Sequence, residues 1–359
     1  MLQSLSNESI DLLRRMIVVP SKSFEEQAVC QLISNQLTGW GIEHKVYGCN
    51  IVAFNKNYDS KLPTLALDAH IDTVPPAESY TRNPYDAGND EAVIYGLGAN
   101  DDGGSVVALT AAFRYFYEKT LPINLCLVLT AEEERSGPNG ARWIYSAEGP
   151  FGAKQPDWII IGEPTNMNAA TSERGLLVVD GEATGVSGHA ARNEGVNALY
   201  IALDDIQNLR NHRFAKVSPT MGEVKMNVTQ INCGTAHNVI PDKCTFVIDV
   251  RPTEMYDNEE LLRELQSLCK SRLTPRNLTN RSSATSIDSP LIKAAEAQNI
   301  ATFSSPTTSN WMRIHSDAIK MGPGDSSRSH HADEFIMRSE IEEAIEKYIE
   351  FINQIILDI

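Results

Sequence analysis

The stretch that decides the fold is Leu65-Ala66-Leu67-Asp68-Ala69-His70-Ile71-Asp72-Thr73. The short apolar run from Thr64 to Leu67 has no polar alternation, so it reads as a strand buried on both faces. It ends in His70-Ile71-Asp72, which sets an imidazole and a carboxylate at the carboxyl end of the strand, where open α/β sheets hold their ligands. Similar runs recur at Ile123 to Thr130 and Trp158 to Ile161, with a helical pattern from about Ser105 to Glu118 before the first of them. Helices are expected at 7–17 and 24–38, the second opened by a capping box, Ser23 with Glu26 three residues on, and stopped at Gly39. This alternation predicts an α/β domain with a largely parallel or mixed sheet flanked by helices.

Around Ser172 the texture changes. The order becomes strand (176–182), helix (196–209), two strands (224–231 and 243–249), helix (259–271), then a polar stretch with room for a strand to about Ser283. That β-α-β-β-α-β order belongs to a small ferredoxin-like α+β sheet. A helix at 291–298, an apolar run at 317–321 and a closing helix at 339–357 return to the first texture. The expectation is a discontinuous catalytic domain, 1–172 and 284–359, interrupted by an inserted domain at 173–283. A length of 359 residues suits two domains.

Hydrophobic residues make up 42% of the chain and charged residues 22%, ordinary values for a protein with a sizeable core. The 31 Lys and Arg against 47 Asp and Glu give a formal charge of −16, which argues against nucleic acid or an anionic membrane as partner. The first residues contain no cationic segment followed by an apolar one, and no aliphatic run approaches the roughly 20 residues of a membrane span, so a cytoplasmic location is expected. Cys30, Cys49, Cys126, Cys233, Cys244 and Cys269 form no C-x-x-C pair and are expected to be reduced and mostly buried.

Further groups stand at the ends of the other predicted strands. Tyr95-Gly-Leu-Gly98-Ala-Asn-Asp101-Asp102-Gly103 resembles a dinucleotide fingerprint, but Asp101 occupies the place of its last glycine, and adjacent carboxylates would repel a pyrophosphate. A cation is the better guest. Three consecutive glutamates, Glu132, Glu133 and Glu134, are costly at a strand end unless a positive charge lies nearby. Glu163 follows a fourth strand, and Gly322 to Glu334 carries His330 and His331. Gly185-Val-Ser-Gly-His189-Ala-Ala191 is not a serine-hydrolase elbow, which would need glycine at 189. Arg251 and Arg328 offer guanidinium forks for a substrate carboxylate, or else form surface ion pairs. His44, His212, His237 and His315 lack ligand-like neighbours and are read as structural or exposed.

The set H-x-D, G-x-G-A-x-D-D, T-A-x-E-E, G-E-P-T, G-H-A-A and H-x-x-D-E runs over nearly the whole chain. In this order it resembles the co-catalytic di-zinc amidohydrolases and peptidases, the family of acetylornithine deacetylase, succinyl-diaminopimelate desuccinylase, aminoacylase and glutamate carboxypeptidase. The segments Ile160 to Thr165 and Thr130 to Glu134, with Gly140-Ala-Arg142, look most like the acetylornithine deacetylase version. The resemblance implies two zinc ions per chain, with cobalt able to substitute. His70 and Glu163 would hold one, Glu134 and His330 the other, and Asp101 would bridge them, leaving room for a shared water. Glu133 would be the general base and Asp72 the group that orients His70. A cis peptide at Asp101-Asp102 is also implied. The family usually reads D-E-E, and Thr130-Ala131 align Glu132 with its aspartate; counting back three from Asp333 selects His330 over His331.

The resemblance further implies a homodimer formed through the inserted domain, from which His189 and Asn238 reach the partner subunit's active site. Asn310 and Trp311 fall where related enzymes line the acyl pocket. The implied activity is hydrolysis of the amide bond of a small N-acyl amino acid. N2-acetylornithine, as in arginine biosynthesis, leads, ahead of N-acetylcitrulline, a succinylated equivalent, N-acetyllysine or a dipeptide. A non-catalytic amino-acid-binding protein on the same scaffold would be expected to show a damaged base or ligand set, and here the set is intact.

Overall fold

In the computed structural model, residues 2–192 and 194–358 are described. The first leg of the chain forms α1 (Leu2–Ile17), α2 (Gln27–Gly39), β1 (Lys45–Tyr47), β2 (Asn50–Phe54), β3 (Thr64–His70), β4 (Val93–Tyr95), α3 (Gly104–Phe116), β5 (Asn124–Thr130), α4 (Ala141–Ile144), β6 (Trp158–Ile161) and β7 (Ala169–Glu173). The middle forms β8 (Leu177–Thr184), β9 (Gly188–His189), α5 (Ala198–Asn211), β10 (Lys225–Cys233), β11 (Val239–Ile240), β12 (Lys243–Arg251), α6 (Asn258–Leu268), β13 (Arg272–Pro275) and β14 (Ser283–Ala284). The return leg forms α7 (Pro290–Ala297), β15 (Thr302–Ser305), β16 (Asp317–Lys320), β17 (Phe335–Met337) and α8 (Arg338–Leu357). The chain divides into two units: residues up to Thr171, Thr285–Phe303 and from Ser309 on in one, Ser172–Ala284 with Ser304–Thr308 in the other. Ser304–Thr308, expected with the first unit, groups with the second, where the Ser172 hydroxyl donates to Ser304 Oγ at 2.9 Å.

In the first unit a mixed sheet runs β1-β2-β5-β3-β6-β16-β7. The β5-β3, β3-β6 and β6-β16 pairs are parallel, and the β1-β2, β2-β5 and β16-β7 pairs antiparallel. Alternation along the strands explains why both faces are covered. Leu65, Leu67 and Ala69 of β3, with Leu125, Leu127 and Leu129 of β5, join one core that includes Leu12, Phe113 and Tyr348 of α1, α3 and α8. Ala66, Cys126 and Val128 point the other way, to Ile144, Tyr145, Trp311 and Ile314. Each fully buried leucine contributes about 1.5–3 kcal/mol, enough to fix register against a one-residue slip.

The structure corrects the expected start of α2. The helix begins at Gln27, and Ser23 does not cap it; its hydroxyl donates to Asp72 Oδ2 at 2.7 Å, a carboxylate being the stronger partner. Glu26 Oε1 instead accepts from the backbone N–H groups of Phe24 and Glu132, at 2.8 and 3.1 Å. The hairpin of β1 and β2, not anticipated from the sequence, turns at Gly48 with φ +62° and adds antiparallel strands beside β5.

The second unit has a fully antiparallel sheet ordered β10-β12-β8-β13, with α5 and α6 contributing to one apolar core. Leu177, Val179, Phe246, Ile248 and Val250 alternate inward against Leu209, Leu261 and Leu265. Helix α6 stops at Leu268, short of the expected 271, because the N–H groups of Lys270 and Ser271 turn to the buried Asp205 carboxylate at 2.9 and 2.8 Å. A two-residue ribbon, β9 with β11, pairs His189 with Val239.

Candidate metal centre and catalytic groups

The predicted ligands of the first unit stand where its central strands end. His70 closes β3; Glu133 and Glu134 follow β5; Glu163 follows β6; His330 lies in the loop after β16. His70 Nδ1 lies 3.0 Å from the Asp72 carbonyl oxygen and Nε2 lies 3.1 Å from Asp101 Oδ1. With Nδ1 directed at that carbonyl, Nε2 is the nitrogen turned to the carboxylates, where it donates to Asp101 and where its lone pair would take a metal in the proton's place. His330 Nε2 lies 3.0 Å from the Glu134 carboxylate and 3.7 Å from Asp101 Oδ2. Ligand atoms of His70, Asp101 and Glu134 all fall within 4.8 Å of one another.

The electrostatics fit a cation. Burial first, then the charges of Glu134, Asp72 and Asp101, push Glu133 well above the ordinary carboxylate range. Burial likewise raises Glu163; Lys320 opposes this, and Asp101 and Glu133 add to it. Burial opposes charge on His70, but hydrogen bonds to Asp101 and Asp72 outweigh it and hold its pKa well above the usual value. His330 is raised to about 9, chiefly by its hydrogen bond to Glu134. Carboxylates this close must share protons or a metal, and two imidazoles with several carboxylates are a donor set suited to divalent ions such as zinc. The residues present therefore fit the group.

What positions these ligands was only partly visible in the sequence. Asp72 does more than accompany His70: its carboxylate oxygens accept from Ser23 Oγ and from the backbone N–H groups of Glu133 and Glu134, at 3.0 and 3.1 Å, pinning the loop that carries both glutamates. The contact that fixes the His70 ring is the Asp72 carbonyl, with the nearest carboxylate oxygen farther off at 3.5 Å. Glu334, quoted only as the end of a motif, is buried and accepts from the N–H groups of Gly98, Asn100 and Asp101 at 3.0, 2.8 and 2.9 Å. The following Asp101-Asp102 peptide is cis. Gly98, at φ +76°, leaves no room for a side chain, since a Cβ would stand 2.6 Å from Thr73 Cγ2; the glycines here serve close packing. Glu132 turns away from the ligand cluster at φ +61° and accepts from Asn139 N and Nδ2, both at 2.9 Å. Asn310 donates to Asp68 Oδ1 and Thr130 Oγ1, both at 2.8 Å, and Trp311 is in the core.

In the second unit, His189 and Asn238 are both exposed and are brought together by the β9-β11 ribbon, where Ala190 N donates to the Asn238 carbonyl at 3.1 Å. Ala191 N donates to His189 Nδ1 at 3.1 Å, which leaves Nε2 as the ring's donor. The two arginines engage the chain's own carboxylates. Arg251 binds both oxygens of Asp249, at 2.8 and 3.0 Å, and Arg328 donates to Glu340 at 2.7 Å and lies over the Phe335 ring. Of the histidines read as structural, His44 bonds Ser34 and His212 bonds Glu264, each at 2.7 Å.

Strand-end histidines and carboxylates form a cluster able to hold a metal, and with the matches that follow they make the chain a metal-dependent amidohydrolase. The chain belongs to peptidase family M20/M25/M40, whose model matches residues 66–357. It is 29% identical over 374 residues to an acetylornithine deacetylase of Proteus mirabilis, covering 93% of each chain. It is equally 29% identical, over 72% of its length and 70% of the other chain, to a succinyl-diaminopimelate desuccinylase of Xanthomonas euvesicatoria. Its fold is similar to that of a tripeptidase from Staphylococcus aureus, at a TM-score of 0.77 and 18% identity over 98% of this chain and 99% of that one. It is also similar to a Bacillus subtilis protein described as a dinuclear metal binding peptidase of this family, at 0.73 and 16% over 99% and 98%. No helix among the described residues is long and apolar enough to cross a membrane.

Proposed function

We propose that the protein hydrolyses the amide bond of an N-acyl amino acid, with N2-acetylornithine as the leading substrate, using two zinc ions per chain held by His70, Glu163, Asp101, Glu134 and His330. The observation that carries this reading is the convergence of His70, Asp101 and Glu134 beside a half-buried Glu133 outside that cluster. When bound, divalent ions lower the pKa of water and polarise an acyl oxygen. Glu133 then takes a proton from the attacking water on its carboxylate and delivers it to the leaving amine nitrogen, which cannot depart as an anion. Its position is fixed from below by the backbone N–H that Asp72 accepts. His189 donates Nε2–H to the developing oxyanion of the partner subunit's substrate, and Asn238 adds a second polar contact beside it.

The support for His189 is its exposed ring, with Nδ1 engaged by Ala191 N and Nε2 left as donor; the support for a homodimer is the second unit's own surface. β10 is an outer strand of its sheet, and Tyr200 and Leu203 of α5 stand 65% and 47% exposed, an unpaired edge and an apolar face that a second copy would cover. We assign the substrate carboxylate to a guanidinium, Arg251 or Arg328, with exchange of its present partner. The protein is assigned to the cytoplasm and to arginine biosynthesis. The deacetylase relative matches more of the chain than the desuccinylase does, which favours an acetyl over a succinyl group.

Comparing kcat/KM across N2-acetylornithine, N-acetylcitrulline, N-succinylornithine, N-acetyllysine and dipeptides tests the assignment. Acetylornithine should rank first, although a single methylene separates neighbours by only about 1–3 kcal/mol. Dipeptides exceeding every acyl-ornithine and acyl-citrulline by about tenfold would overturn the deacetylase reading.

A further inference from the structure

Cys233 ends β10 and Cys244 lies one residue into β12, and the antiparallel register sets the two directly opposite each other. Which kind of opposite pair they form follows from the next strand over. Gly185 N donates to the Asp242 carbonyl at 2.7 Å, and the β12-β8 register continues regularly through Lys243 with Thr184 and Cys244 with Ala183. The backbone polar groups of Asp242 and Cys244 therefore both face β8, so Cys244 makes no ladder bond to β10. Cys233 and Cys244 occupy a non-hydrogen-bonded position, where opposite Cα atoms approach to about 4.5 Å. A disulfide spans Cα separations of about 4.4–6.8 Å.

Both thiols are free in the structure. Cys233 is partly exposed at the end of an outer strand, and Cys244 is buried. Between them runs the segment from Gly234 to Lys243, which contains Asn238 and β11, and β11 is the strand that pairs with His189. The two sulfurs thus sit at the neck of the loop that carries Asn238 and pairs with His189.

We propose that Cys233 and Cys244 are a reversible dithiol site, closed to an intrachain disulfide by hydrogen peroxide and stiffening the loop between them. The partly exposed Cys233 thiolate attacks a peroxide oxygen, the O–O bond breaks, and one water leaves, giving the sulfenic acid. The Cys244 sulfur then attacks the Cys233 sulfur, the S–O bond breaks, and a second water departs with the Cys244 proton. Two thiols are oxidised to one disulfide and the peroxide is reduced to two waters; a dithiol reductant reverses the step by exchange. Burial and the neighbouring thiol push Cys244 up to about 12, so little of it is thiolate and the first attack falls to the more exposed Cys233, while the opposed register places Cys244 in contact for the second.

The test treats the full-length protein with hydrogen peroxide, blocks remaining thiols with iodoacetamide and maps peptides by mass spectrometry. The expected result is a peptide pair joined through Cys233 and Cys244, lost on dithiothreitol treatment, with slower amide exchange over residues 234–242 in the bridged form. Cys233→Ser, at the less buried position, should fold, form no bridge and leave Cys244 alkylatable after unfolding. Cys233 recovered as a sulfinic acid beside a free Cys244, a bridge to a second chain, or unchanged loop exchange in the bridged form would overturn the proposal. The effect on turnover rests on the role given above to Asn238. Bridging should shift KM for N2-acetylornithine several-fold and reversibly, whereas a mapped bridge with an unmoved KM would leave the dithiol site standing and remove Asn238 from substrate binding.

Discussion

Asp68 shows how a single buried side chain supports the centre without touching it. It lies two residues before His70, fully buried, and accepts from Tyr145 Oη at 2.7 Å and Asn310 Nδ2 at 2.8 Å. Burial raises its pKa from 3.8 to about 6 against the lowering effect of those two bonds. Between these values the folded state keeps a proton that the unfolded chain has lost, so this group's contribution to stability falls as pH rises from about 4 to 6. Asp68→Asn removes the titration. The stability difference between wild type and variant, from urea unfolding, should move against the wild type by up to about 3 kcal/mol between pH 4 and pH 7. Parallel pH profiles would show that Asp68 is ionised throughout. The residues proposed as ligands are legible as residue types at strand ends. Their supports are not: nothing in Ser23-Phe-Glu-Glu26 distinguishes a helix cap from a clamp on a distant carboxylate, because the competing acceptor, Asp72, lies 49 residues away in the chain.

Among the elements, the central strands were readable because burial on both faces leaves an unbroken apolar run, as in Asn124–Thr130, every residue of which is buried. β1 and β2 were missed: β1 is three residues with an exposed start, and β2 is paired through neighbours that only the folded sheet supplies. The segment from Gly98 to Asp101 is the element on which the centre most depends, since it presents Asp101 by hanging three backbone N–H groups on Glu334. Glu334→Ala would leave those donors buried and unpaired, destabilising the fold on the order of 3 kcal/mol and lowering metal content at a fixed zinc concentration. Glu334→Gln, which keeps one acceptor oxygen, should fall between the two. Chemical denaturation with atomic absorption on the same samples checks both effects; full metal retention in Glu334→Ala would contradict the positioning role.

For the whole molecule, the formal charge of −16 resolves into two populations. Most of the surplus needs only the ordinary explanation of solubility. Asp101, Glu133, Glu134 and Glu163 instead face one another across strand ends of the first unit, where without a cation they rely on shared protons, two imidazoles and the Lys320 charge. That concentration of charge is the strongest physical reason to read the chain as a metal enzyme, and Glu133, proposed as the base, is the member whose removal should separate binding from chemistry. The most direct measurement is therefore hydrolysis of N2-acetylornithine by zinc-loaded wild type and Glu133→Gln, with the metal content of both determined in parallel. The account predicts about two zinc ions per chain in each protein, with turnover falling by about 10²–10⁴-fold in the variant. A variant that keeps its zinc and hydrolyses the substrate at the wild-type rate would contradict it.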